Sequence, residues 1–154
     1  MLNNTSTDVI AVDTSSKWVS AVKKDNESNG DRLHIYHSNL GDVGGFGRPL
    51  SYEKIDSLFD YTDFLWKHKK TPKLALVDCR LRVCCFLISL KFAEEETKTL
   101  FDVYTNRLYY HFVEKYVSRL EECGRQCMFV LPSKAEIDMI RLDKDIVPSK
   151  NVMD

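Results

Sequence analysis

The residues richest in chemistry stand at the ends of two short apolar runs. Val9–Val12 reads VIAV and runs into Asp13; Leu74–Val77 reads LALV and runs into Asp78, with Arg80 and Arg82 just beyond. A carboxylate offers acceptor oxygens, and a guanidinium is a planar donor fork that suits anions. In open α/β sheets, ligands collect outside the carboxyl ends of the strands. Asp13, Asp78, Arg80 and Arg82 would therefore meet a ligand if both runs are strands. Plainer roles are open for each. Asp13 suits a helix N-terminus, where the dipole favours an acid. Asp78 can pair with Arg80 or Arg82, and these arginines can pair with Asp102 or Glu114.

The elements that must position these residues alternate along the chain. Apolar runs without alternation suit strands buried on both faces of a parallel sheet. After Asp13, Ser15 and its neighbours provide a helix cap, and Lys17–Lys24 has Trp18, Ala21 and Val22 at helical spacing. Residues 25–31 read as a turn, and Leu33–His37 as a third strand. The glycines and Pro49 of residues 38–50 make a long loop, which does not match a phosphate-binding motif because no helix opens directly from it. Ser51–Lys67 suits one or two short helices. Leu81–Ala93 reads as a buried helix, Glu94–Lys98 as a solvated turn and Thr99–Tyr104 as a strand. Leu108, Phe112, Val113, Tyr116, Val117 and Leu120 form a stripe that predicts a helix over Leu108–Cys123, stopped by Gly124. Cys127–Leu131 is a further strand. Ser133 with Glu136 forms a capping-box pattern that opens a helix over Ser133–Asp145. Residues 1–8 and 147–154 read as loose ends of a single domain spanning 1–154. The alternation predicts an α/β fold: a Rossmann-like, mostly parallel sheet with helices on both faces.

Composition narrows the function classes. The 154 residues carry 22 basic and 23 acidic side chains, a balance that argues against a general nucleic-acid or anionic-membrane surface. No apolar run approaches the ~20 residues that span a bilayer, and the polar start MLNNTSTD does not read as a signal peptide. The five cysteines show no zinc spacing and read as reduced thiols of a cytoplasmic protein, so no metal is expected.

Three segments together carry a resemblance. VDCRLRVCCFLISL, then YTNRLYYHFVEKY, then CMFVLPSK follow one another as in a family of small proteins with the class I S-adenosylmethionine-dependent methyltransferase fold. VDTSSKWV, HSNLGDVGGFGRP and DYTDFLW are also similar to that family's segments, so the resemblance covers roughly residues 9–134. It implies S-adenosylmethionine as cofactor, with Asp13 accepting from its ribose hydroxyls and Asp78 with Arg80 beside the methyl acceptor. Arg82, Asn106, Arg107 and His111 match positions that would contact substrate. Two departures stand out. The family's first strand and glycine-rich loop would precede Val9, where the sequence is polar, so an N-terminally truncated methyltransferase fold with a partial or lost cofactor wall is expected. The acid before YTNR is Asp102, one place earlier than in the family, so within a strand it would face the other side. Two readings stay open: a methyltransferase-like protein acting on a small-molecule or protein acceptor, and a non-catalytic binding or scaffold protein that keeps the fold. A homo-oligomer or a strand-donating partner would suit the second.

Overall fold

The computed structural model describes residues 6–51 and 53–152, with the side chains of residues 28, 29, 46 and 55 left outside the description. Parts of both expected loose ends, and Tyr52, lie outside the described residues. The chain divides into two compact units, one ending at Lys67 and one beginning at His68.

The first unit is a parallel strand pair with two helices. Strand β1 (Val9–Asp13) pairs with β2 (Leu33–His37) in parallel register, Asp13 opposite His37. Parallel neighbours need a crossover, and helix α1 (Ser16–Asp25) supplies it. Ser15 caps α1 by accepting the Trp18 N–H, and Val19 is buried. Helix α2 (Leu58–Lys67) packs on β1 and stacks Phe64 on Tyr36 of β2, with ring centroids 4.6 Å apart. The glycine-rich loop folds back on the strand ends: the Thr14 hydroxyl donates to the Gly47 carbonyl at 3.2 Å. Gly47 has φ +74°, and a Cβ there would stand 2.8 Å from the Thr14 oxygen, so glycine is required by both conformation and space.

The second unit is a four-stranded sheet in the order β3-β4-β6-β5. β3 (Leu74–Val77) runs parallel to β4 (Lys98–Phe101), joined through α3 (Arg82–Phe92), another β-α-β unit. β6 (Gln126–Val130) pairs antiparallel with β4 and with β5 (Arg119–Cys123). The core is aromatic: Phe86, Phe101, Tyr104, Tyr110 and Phe129 are all fully buried. Their rings meet edge-on, tilted or stacked at centroid distances such as 5.0 Å for Phe86–Phe129 and 4.9 Å for Phe101–Tyr110. Helix α4 (Met139–Ser149), capped by Asp138, packs on α3.

The α/β fold with parallel β-α-β pairs is the expected one. The last third differs locally. Leu108–Cys123 is not one helix: residues 108–115 form a 3-10 helix, and Arg119–Cys123 is an edge strand. The apolar stripe mixed two patterns. Tyr110, Val113 and Val117 point inward, whereas Leu108 and Leu120 are 78% and 56% exposed. Gly124, at φ +58°, turns the β5–β6 hairpin instead of ending a helix. The capping box at Ser133–Glu136 closes only a 3-10 turn, and the true helix starts after Asp138 and runs to Ser149, into the expected tail. The strand expected over Thr99–Tyr104 stops at Phe101, because Val103 takes a left-handed φ of +58° that no strand admits.

The aromatic core carries the second unit. Phe101→Ala is expected to cost about 3–5 kcal/mol in urea unfolding, and Leu108→Ala to stay within about 0.5 kcal/mol of the parent.

Candidate functional site

In the second unit, the residues at the exit of β3 form a hydrogen-bonded chain. Asp78 follows β3, its side chain half in water. Arg82, one helical turn on, is only 4% exposed. Arg82 Nη2 donates to Asp78 Oδ1 at 2.8 Å, and Arg82 Nη1 donates to the Tyr110 hydroxyl at 3.3 Å. Arg107 Nη1 donates to the same hydroxyl at 3.1 Å and to that of Tyr109 at 3.1 Å. The structure thus brings together Asp78, Arg82 and Arg107 of the expected site residues. The pairing that the sequence left open falls to Asp78 and Arg82. Arg80 lies half-buried in the β3–α3 turn, and Asn106 is exposed just before the 3-10 helix. Two guanidiniums on one phenol oxygen, with a half-exposed carboxylate at the end, make a strongly polar rim suited to orienting a polar acceptor.

The acid after β4 behaves differently. Asp102 is 3% exposed and accepts from Arg125 at 3.1 and 3.2 Å and from Gln126 at 2.9 Å. Burial pushes its carboxyl up, but the hydrogen bonds of Gln126 and Arg125 and the Arg125 charge outweigh burial and hold it below the usual carboxylate range. Since β4 has already ended, Asp102 is not displaced to the opposite face of a strand, as its shifted place in the sequence suggested; it sits at the strand exit, locked to the hairpin turn.

His111 sits in the 3-10 helix, stacked on Tyr104 at 4.9 Å. Its Nδ1 lies 3.1 Å from Arg119 Nη2. A guanidinium only donates, so Nδ1 accepts and the neutral ring carries its proton on Nε2. Nε2 is buried and meets no partner among the described residues. In that state His111 is a donor at Nε2, with the lone pair a base would use already engaged. Beside it, Glu114 accepts from Tyr104 at 2.7 Å and from Arg119. Burial raises the Glu114 carboxyl, and the Arg119 and Tyr104 hydrogen bonds together overcome it, so the group stays ionised below the usual range.

In the first unit, Asp13 ends β1. Its Oδ1 accepts the Ser15 N–H at 2.7 Å, which turns the chain into α1; its Oδ2 makes no interaction with the described residues. Next to it, His37 Nε2 donates to the Thr14 carbonyl at 3.2 Å. Sequence reading missed Thr14 and His37 as neighbours of Asp13; the parallel register that sets Asp13 opposite His37 is the signal for the second, and nothing local marks the first. An open groove of about 580 Å3, lined by residues such as Tyr116, Arg119, Val130 and Pro132, contains none of the expected site residues. Among the described residues no cluster of three or more metal-ligating side chains occurs, and no helix is long and apolar enough to cross a membrane.

Two outcomes follow from this geometry. Arg82→Ala removes the ion-pair partner of Asp78 and one of the two guanidiniums on the Tyr110 hydroxyl, and leaves a space where a buried side chain stood; it is expected to cost about 3 kcal/mol in urea unfolding, whereas Asp78→Ala, whose carboxylate is half in water, is expected to cost about 1–2 kcal/mol. For Asp102, the folded value lies below the unfolded one. Its contribution is full above about pH 4 and is lost as pH falls through the folded value. Stability followed from pH 6 downward to about pH 2 should therefore fall less steeply in Asp102→Asn than in the parent.

No family model and no curated protein matches this sequence significantly. Among solved structures, a methyltransferase-like protein from Silicibacter pomeroyi superposes with a TM-score of 0.82 at 26% identity, covering 96% of this chain and 77% of that one. The chain has a methyltransferase-like, Rossmann-type α/β fold.

Proposed function

We propose that the protein is an S-adenosylmethionine-dependent methyltransferase whose acceptor is a small molecule or a protein. Support comes from the likeness of fold together with one local observation: Asp13 ends β1 with a carboxylate oxygen, Oδ2, that no described residue uses. That oxygen fits a ribose hydroxyl as donor, while Oδ1 is held by the Ser15 N–H. When bound, the cofactor supplies an electrophilic methyl group on a sulfonium. The chain's own residues bind and orient. Asp13 accepts from the ribose. Asp78 and Arg80, on the β3–α3 turn, hold the acceptor's polar groups, with Arg82 and Arg107 fixing the rim behind them and Asn106 offering a further donor; His111, whose Nε2 is buried and whose Nδ1 meets Arg119, takes no part in holding the acceptor. Methyl transfer depends chiefly on alignment of the acceptor, so no strong general base is required.

A second reading, a non-catalytic binding protein with the same fold, has its own support. β3 is an edge strand of its sheet, and its Leu74 and Leu76 are 60% and 56% exposed, an apolar edge of the kind that accepts an added strand.

Calorimetric titration with S-adenosylhomocysteine separates the two. The methyltransferase reading expects saturable heat, weakened about tenfold in Asp13→Ala, equivalent to ~1.4 kcal/mol, and unchanged in Asp78→Ala. Absence of heat at high micromolar ligand, with the chain folded by circular dichroism, would favour the binding protein. Heat that Asp13→Ala leaves intact would remove Asp13 from the site.

A further inference from the structure

Where the turn that carries Asp78 and Arg80 enters α3, two thiols face each other. Cys79 Sγ and Cys85 Sγ are 3.2 Å apart. Cys79 lies in the turn, Cys85 in the first turn of α3, and both are half-buried, so a small solute can reach them. The contact is tighter than ordinary packing of two sulfurs, and a disulfide bond of about 2.05 Å would require an approach of only about 1.2 Å. The other three cysteines do not compete. Cys84 is fully buried. So is Cys127, which burial, aided by the charge of Glu122, pushes up to about 11. Cys123 is exposed on β5, in a different part of the sheet.

We propose that Cys79 and Cys85 form a redox modification site: a dithiol that an oxidised low-molecular-weight disulfide, such as glutathione disulfide, converts to an intramolecular disulfide. One of the two thiols loses its proton and attacks a glutathione sulfur, expelling one glutathione and leaving a mixed disulfide. The second thiol loses its proton and attacks the protein sulfur of that mixed disulfide, expelling the other glutathione. The protein gives up two protons and two electrons, and the glutathione disulfide takes both. The ring so closed encloses Arg80, Leu81, Arg82, Val83 and Cys84. The backbone that carries the Arg82 anchor and follows Asp78 is then tied to α3, so the oxidised turn has less freedom to move around a ligand. The inference stands independently of any methyl transfer.

The full chain, incubated with glutathione disulfide and digested with trypsin without reduction, provides the test. Cleavage after Lys73, Arg80, Arg82 and Lys91 yields Leu74–Arg80 and Val83–Lys91 as separate peptides. The expected product is those two peptides joined, lighter by two hydrogens than their sum and separated by dithiothreitol. Cys84→Ser should retain the link, whereas Cys79→Ser should leave a glutathione adduct on Cys85. Cys85→Ser should likewise leave an adduct on Cys79; if that variant fails to fold, Cys79→Ser alone decides. Cys79 and Cys85 both alkylated by iodoacetamide after treatment that has modified Cys123 would overturn the proposal, as would a link from Cys79 to any other cysteine.

Discussion

A buried guanidinium is costly unless its donors are met, and Arg82 is the residue on which the second unit's site depends. At 4% exposure it has little water to turn to. Its partners come from two further segments: Asp78 from the end of β3 and Tyr110 from the 3-10 helix after β4. Satisfying one charge therefore sets the course of the β3–α3 turn and brings the 3-10 helix against α3. It also explains why Asp78 keeps half its surface in water while remaining well placed. The buried arginine holds one oxygen and leaves the other face of the carboxylate available.

Around that charge the packing is aromatic and dry. Phe86 of α3, Phe101 of β4, Phe129 of β6, and Tyr104 and Tyr110 beyond β4 form one contiguous ring cluster. Tyr104 and Tyr110 each place a hydroxyl at the edge of this cluster, where Glu114 accepts from the first and two arginines donate to the second. Amphipathic rings let the apolar core end directly in a polar rim. The left-handed Val103 belongs to the same transition. It breaks β4 early, turns Asp102 toward Arg125 and Gln126, and lets Tyr104 enter the core.

Asp13, Asp78 and Asp102 show how alike three acids look in the sequence and how differently they end. All three follow short apolar runs. Asp13 spends one oxygen on the start of α1, Asp78 shares one with a buried arginine, and Asp102 is enclosed by three donors. A ligand can compete for the first two with little loss. For Asp102 the hydrogen bonds to Arg125 and Gln126 would first have to break.

The alternation of strands and helices, and with it the α/β class, was legible in the sequence, because apolar runs and helix caps act over a few residues. Val9–Asp13, Leu33–His37, Leu74–Val77 and the helix after Leu81 were legible for that reason. The sequence also placed Asp13 and Asp78 at strand exits. Residues 108–123 were not legible, since a helical stripe and an edge strand beside a hairpin fit the same apolar positions. Only pairing with β6, across the turn at Gly124, decides between them. Tertiary structure alone chose Asp78 over more distant acids as the partner of Arg82, gave Asp102 to the hairpin, and brought the Cys79 and Cys85 sulfurs together. Partner choice among charged and polar groups is settled by burial and approach, which depend on how distant segments pack and which no local pattern encodes.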